Sequence, residues 1–184
     1  MRKICITFLI LFIIFVTTGC RRIQEGNLAK ENTEFLRIHV RANSNSDEDQ
    51  SIKYYIKDEI VKYLTPFIAQ CHSKDETVIV IEEKRKTLEY IIDGILKKNG
   101  LDYSSRISVR NEKFPTRVYE GFTLECGYYD AVIVELGEAK GDNWWCVVYP
   151  PLCFTGGENV KYSSLILQII EEFKNKFVNT KQKK

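Results

Sequence analysis

At Lys97-Lys98-Asn99-Gly100 the apolar period of this chain changes from that of a helix to that of a strand. Before it, Ile52, Ile56, Ile60, Tyr63 and Leu64 fall on one helical face. Ile81, Leu88, Ile91, Ile92 and Ile95 fall on another, predicting a second helix over about 77–98. Lysines and Asn-Gly at its end are a helix stop, because Gly accepts the left-handed backbone that terminates a helix. After the stop, Ile107 and Val109 alternate with Arg106, Ser108 and Arg110. Arg117 to Leu124 reads as an irregular strand or hairpin. Ala131 to Leu136, apolar apart from Glu135, reads as a central strand covered on both faces. Gly137 to Asn143 is a turn leading back through Trp144 to Tyr149. Long helices followed by a run of strands imply an α+β domain with a mainly antiparallel sheet. Two long N-terminal helices and a C-terminal helix would pack on that sheet.

The ends of the pattern agree. Phe35 to Ala42 reads as a first strand, with Leu36, Ile38, Val40 and Ala42 facing the core. Phe35, Arg37, His39 and Arg41 form its more polar face. Ser46 and Asp49 then suit a helix N-terminus as a variant capping box, with acids in the first turn. Thr65-Pro66 is expected to end or kink that helix, since proline lacks the amide proton. Tyr162, Leu165, Ile166, Ile169, Phe173 and Phe177 make the apolar stripe of the final helix.

Arg2 and Lys3 followed by the uncharged run from Ile4 to Gly19 have the layout of an export signal. Val16-Thr17-Thr18-Gly19-Cys20 resembles a bacterial lipoprotein processing site, although Thr17 stands where Leu is usual. Lipidation of Cys20, ordinary cleavage and retention as an anchor all remain open. The chain thus divides into 1–20 (signal peptide or membrane/lipoprotein anchor), 21–33 (polar tether), 34–178 (one domain) and 179–184 (basic tail). Arg2 and Lys3 set aside, 25 Lys+Arg face 25 Asp+Glu. A nucleic-acid-binding domain usually carries a basic excess to neutralise phosphates, and its absence here argues against that class.

The search for catalysis finds little. His39 and His72 are the two histidines, and no His-Glu-x-x-His, Gly-x-Ser-x-Gly or phosphate-cradling loop occurs. Gly156-Gly157 before the last helix is a turn signal. For His39, pairing with a carboxylate or an exposed position is favoured over catalysis. Asn43, Asn45 and Asp47 alternate as EF-hand ligands do, but Glu48 replaces the glycine at position six and Tyr54 the glutamate at position twelve. Capping is the better reading, and no metal, cofactor or small-molecule substrate is expected. Cys146 and Cys153 are too far apart for a common zinc pair and have no histidine nearby. In an exported domain they read as a disulfide, with Pro150-Pro151 turning the chain between them. Two buried free thiols are the alternative. Cys71, Cys126, Cys146 and Cys153 together allow three pairings. Trp144 and Trp145 must point to opposite sides of a strand. One should enter the core, and the other either fills the opposite face or serves as a recognition anchor.

Three sets of residues carry a family resemblance. They are Arg37-Ile38-His39-Val40-Arg41-Ala42-Asn43-Ser44-Asn45-Ser46-Asp47-Glu48-Asp49-Gln50, then Phe114-Pro115-Thr116-Arg117 with Gly127-Tyr128-Tyr129-Asp130-Ala131, and Asn143-Trp144-Trp145-Cys146-Val147-Val148-Tyr149-Pro150-Pro151-Leu152-Cys153-Phe154. In this order, over about residues 35–175, they resemble the stage II sporulation protein R family. The resemblance implies a non-enzymatic signal made in the forespore and exported between the forespore and mother-cell membranes. There it would activate a membrane-embedded aspartic protease, stage II sporulation protein GA, which processes pro-sigma-E. It also implies partner-binding roles for His39, Arg41, Asn43, Ser44, Asn45, Ser46, Asp49, Gln50, Trp144, Trp145, Pro150 and Pro151. The Cys146–Cys153 loop would be a stapled recognition loop. Two rivals stand beside this reading: an exported hydrolase built around His39, and a structural envelope protein self-associating through its last helix.

Overall fold

The structure is a computed structural model that describes residues 34–119, 122–154 and 166–175. The export segment with Cys20, the tether, Gly156-Gly157, Tyr162, Leu165, Phe177 and the basic tail lie outside those residues. The chain runs β1 (Leu36–Arg41), α1 (Asp47–Ile68), α2 (Lys74–Lys98), β2 (Ser105–Phe114), β3 (Arg117–Tyr119), β4 (Phe122–Leu124), β5 (Gly127–Leu136) and β6 (Asn143–Tyr149). A helix α3 covers 166–175. The architecture is α+β.

Local chemistry explains the helix limits. Ser46 caps α1, its Oγ accepting the Asp49 amide proton at 3.2 Å. Ser73 caps α2 in the same way through Glu76 N at 3.1 Å, and the Glu76 carboxylate accepts from His72 N at 2.7 Å. These reciprocal bonds satisfy amides with no partner inside the helix. They start α2 at Lys74, three residues before its apolar period becomes visible. The predicted stop at Gly100 is a Schellman motif: Gly100 has φ +78°, its N–H donates to Lys97 O at 3.1 Å, and Leu101 N donates to Leu96 O at 3.1 Å. Pro66 does not end α1, which continues to Ile68; Thr65 Oγ1 donates to Val61 O at 2.6 Å there.

Four strands form one sheet in the order β2-β5-β1-β6, and β3 with β4 makes a separate hairpin. β5 runs parallel to β1, while β2–β5 and β1–β6 are antiparallel. Thus β5 is the interior strand its composition predicts, with Val132 and Val134 on one face and Ala131 and Ile133 on the other, all buried. On the first face, Leu36, Ile38, Val40, Val132, Val134 and Cys146 pack against Ile56, Ile60, Leu64, Ile81, Leu88 and Ile92 of the two helices. The second face departs from expectation. Arg37 and His39, predicted on a polar side, are 0% and 1% exposed. A second apolar cluster surrounds that side, built from Phe35, Phe114, Leu124, Tyr129, Ala131, Ile133, Val147 and Phe173. Alternation along β1 reports its two faces but not what covers the second, because Leu124 and Phe173 arrive from remote segments.

Candidate functional site

Strand pairing brings the first and last motifs together. β1 and β6 are neighbours, with His39 opposite Trp145, Val40 opposite Trp144 and Arg41 opposite Asn143. The two tryptophans then diverge, as adjacent strand residues must. Trp144 packs against the helical core with Lys57 Nζ 5.6 Å from its ring centre. Trp145 lies over the second face and stacks on the His39 ring at 3.9 Å, with Phe114 edge-on at 4.8 Å. Both are half-buried.

The Asn43–Gln50 segment spends most of its polar groups inside the molecule. Asp49, 5% exposed, accepts from Asn43 Nδ2 at 2.9 Å, from Ser44 Oγ at 2.5 Å and from the Tyr103 hydroxyl. Burial alone would raise its pKa, but these hydrogen bonds outweigh it and hold the carboxyl below the usual range. Asn43 Oδ1 accepts from Glu138 N at 2.9 Å, and Asn45 Oδ1 accepts from Asp142 N at 2.6 Å. Gln50 Nε2 donates to Ser44 O at 2.9 Å. Lys53, 1% exposed, donates to Gln50 Oε1 at 2.6 Å and Asp142 O at 3.1 Å. This framework clamps the β1–α1 turn onto the β5–β6 connection. Of the motif residues assigned partner roles here, Asn45 and Ser46 are exposed, while Asn43, Ser44 and Gln50 are half-buried.

Cys146 and Cys153 are joined by a disulfide with Cα atoms 6.3 Å apart, and Cys71 (buried) and Cys126 (exposed) are free. The turn between them contains a cis Tyr149–Pro150 peptide and closes with Leu152 N donating to Pro150 O at 2.7 Å. Pro150, Pro151 and Phe154 are buried. The prolines shape the loop from within.

His39 is enclosed. Its Nε2 accepts from Arg41 Nε at 3.0 Å, so Nδ1 carries the proton of the neutral ring. Nδ1 lies 3.4 Å from Glu112 Oε1 without the alignment of a hydrogen bond. The expected carboxylate neighbour is present, but the ring is buried. Burial pushes its pKa down to about 4, against an upward pull from Asn143 and Glu112; Arg41 and Arg110 add to the depression. The unfolded chain therefore takes up more protons than the folded one between about pH 6.5 and 4. Stability from the neutral ring is present above that window and lost as pH falls through it. Between pH 7.5 and pH 5 the loss should be about 2 kcal/mol. Urea unfolding at the two pH values should show this difference in the parent chain and not in His39→Gln.

The sequence reading did not single out Arg37 as the centre of the second face. Its guanidinium lies 4.2 Å from the Phe114 ring centre, 4.8 Å from Tyr129 and 6.0 Å from Tyr119. Nη2 donates to the Tyr119 hydroxyl at 2.9 Å, while Nε and Nη1 have no hydrogen-bond partner among the described residues. Burial lowers its pKa. Each desolvated cation–π contact returns up to about 2 kcal/mol, offsetting a charge-burial penalty of several kcal/mol.

Beyond His39, the same face becomes a charged network that the sequence reading also missed. Glu135 meets Arg41 at 3.1 Å, Arg110 at 3.0 Å and Arg106 at 4.0 Å; Glu112 meets Arg41 and, at 3.2 Å, Arg110. The period-two series Arg106-Ser108-Arg110-Glu112 was its available signal, since all four must share one face of β2. Among the described residues no group of His, Cys, Asp and Glu is arranged to hold a metal ion, and no helix is long and apolar enough to cross a membrane.

Residues 32–159 match a family model described as Stage II sporulation protein R. Stage II sporulation protein R of Bacillus subtilis (strain 168) is 36% identical over 129 residues, which cover 68% of this chain and 58% of that relative's length. No solved structure matches. The matched span contains the β1–α1 motif, the whole sheet and the disulfide loop.

Proposed function

This chain belongs to the stage II sporulation protein R family, and from that sporulation role we propose that it is an exported signal which activates a membrane-embedded aspartic protease. The protease is stage II sporulation protein GA, its substrate is pro-sigma-E, and the meeting place is the space between forespore and mother-cell membranes. The observation that carries this reading is the family match across both motifs that β1 and β6 bring together. The geometry favours it over an exported hydrolase. His39, the base that rival needs, is 1% exposed, has its Nε2 lone pair occupied by a hydrogen bond from Arg41 Nε, and is covered by the Trp145 ring. A general base must reach the proton it abstracts.

Co-expression in a cell that does not sporulate tests the proposal. Pro-sigma-E should be processed when the full-length chain and the protease are both present, and should remain intact with either one alone. Processing by this chain without the protease would make it the hydrolase. Processing by the protease without this chain would remove the activator role.

A further inference from the structure

The open end of the second sheet face carries more guanidinium than its own carboxylates can neutralise. Arg41, Arg106 and Arg110 share Glu112 and Glu135, and on the same face Arg117 lies 5.9 Å from the ring centre of Trp145. Three cations therefore share two anions, and Arg117 adds a fourth guanidinium by the Trp145 ring. The imbalance sits at the surface: Arg106 is 77% exposed and its nearest acid oxygen is 4.0 Å away, while Arg110 is 41% exposed. Among the described residues no carboxylate pairs with Arg117, whose Nη1 makes a long 3.4 Å contact to Thr116 O. Each guanidinium offers five N–H donors in a planar fork. Three forks on two carboxylates leave donors directed to solvent. The rest of the chain beyond Lys3 is balanced in formal charge, so this local excess is not a consequence of a basic protein.

We propose that this end of the sheet, bordered by Arg106, Arg110, Arg117 and Trp145, is the docking surface for an acidic, extended segment of a protein partner. Charge complementarity selects the occupant. Glu112 and Glu135 hold Arg41 and Arg110 in place, and the partner's carboxylates complete the pairing that Arg106 and Arg117 lack. Arg106 and Arg110 are four residues apart on one strand, so matching acids would lie roughly 13 Å apart along an extended chain. Trp145 supplies an aromatic surface at the border, the kind of residue that anchors interfaces. Identifying the partner with the protease, or with any chain bound to it, rests on the function proposed above; the chemistry of the surface does not.

The test uses the full-length chain in detergent with Trp144→Phe, which leaves Trp145 as the one tryptophan reporter. Hexaglutamate should shift the Trp145 emission in a saturable manner, and hexaglutamine should not. Binding should weaken at least about tenfold between low and high salt, as screening of exposed charges requires. Arg106→Glu with Arg117→Glu should lose the response; both side chains are exposed and hold no close ion pair, so the fold should survive. Lys97→Glu with Lys98→Glu makes the same change in net charge on the last turn of α2 and should leave binding within about twofold, as α2 packs on the opposite face of the sheet. Equal loss in both double variants, no response to hexaglutamate, or binding to phosphatidylglycerol vesicles in place of the peptide would each overturn the proposal. In the co-expression assay the Arg106/Arg117 variant should fail to trigger processing. If that variant triggers it as well as the parent chain, the docking surface falls and the activator role stands. If the parent binds hexaglutamate but never triggers processing, the activator role falls and the surface stands.

Discussion

Gly141→Ala should destabilise the fold by about 3 kcal/mol or more, the upper part of the range for forced overpacking. A Cβ built on Gly141 would lie 2.1 Å from Ser44 O, 2.5 Å from Ser44 C and 2.9 Å from the Ala42 side chain. Two of these are backbone atoms at the junction of β1 and α1, so no rotamer change relieves them. Moving the backbone apart would stretch the Gly141 N–H to Ala42 O bond at 2.9 Å and the Lys140 N–H to Asn43 O bond at 3.1 Å. The Asn45 contact to Asp142 N and the Lys53 contact to Asp142 O depend on the same approach. Gly94→Ala is the control. Gly94 sits inside α2 with nothing within 4 Å of its added Cβ, so alanine there should stabilise by about 0.5–1 kcal/mol. Chemical denaturation of the two variants should move the midpoint in opposite directions. A Gly141→Ala chain as stable as its parent would mean that the β1–α1 turn does not hold the β5–β6 connection as described.

That contrast also marks what could be read from the sequence. The Lys97–Gly100 stop, the two helical faces, the apolar β5 and the divergence of Trp144 from Trp145 follow from periods and short-range backbone rules, and they appear in the fold as predicted. The capping role of Ser46 was legible for the same reason, since it joins residues three apart. The destination of Asp49 was not. Its carboxylate is held by Tyr103, 54 positions away, and the turn it stabilises meets Glu138 and Asp142, more than 90 positions from Asn43 and Asn45. A polar motif read in isolation looks like a surface; only the topology shows that most of it is a clamp. His39 and Arg37 were misplaced on a polar face for the same reason. Alternation along β1 says that they share a side, while their burial is decided by Phe114, Leu124, Tyr129 and Phe173. Period two put Arg106, Ser108 and Arg110 on one side of β2, but Glu112 was not read with them, and the pairing with Arg41 and Glu135 required the strand order β2-β5-β1.

Replacing Cys146 and Cys153 together by alanine should cost about 2–3 kcal/mol from the chain-entropy term alone, for a loop closed over so few residues. The structure places a further cost on the loss. Cys146 is fully buried in the helical cluster, and Cys153 packs beside it with Leu152, Phe154 and Ile166. The bridge therefore secures a loop whose prolines and Phe154 are themselves core residues, so loosening it should reach the fold as well as the loop. Cys146→Ser is expected to be worse than Cys146→Ala, because a hydroxyl at a fully buried position needs a hydrogen-bond partner. Reductant should destabilise the parent chain by about the 2–3 kcal/mol of the chain-entropy term, less than the double-alanine change, which also removes two packed sulfurs, and reductant should do nothing to the variant. Mass mapping under non-reducing conditions should recover the Cys146–Cys153 peptide pair, with Cys71 and Cys126 as free thiols. The loop carries Trp145 on its strand, so the reduced chain should also respond more weakly to hexaglutamate even where circular dichroism is unchanged. A reduced chain with parental stability would leave Cys146 and Cys153 as two packed thiols and would assign the shape of the loop to Pro150, Pro151 and Phe154 alone.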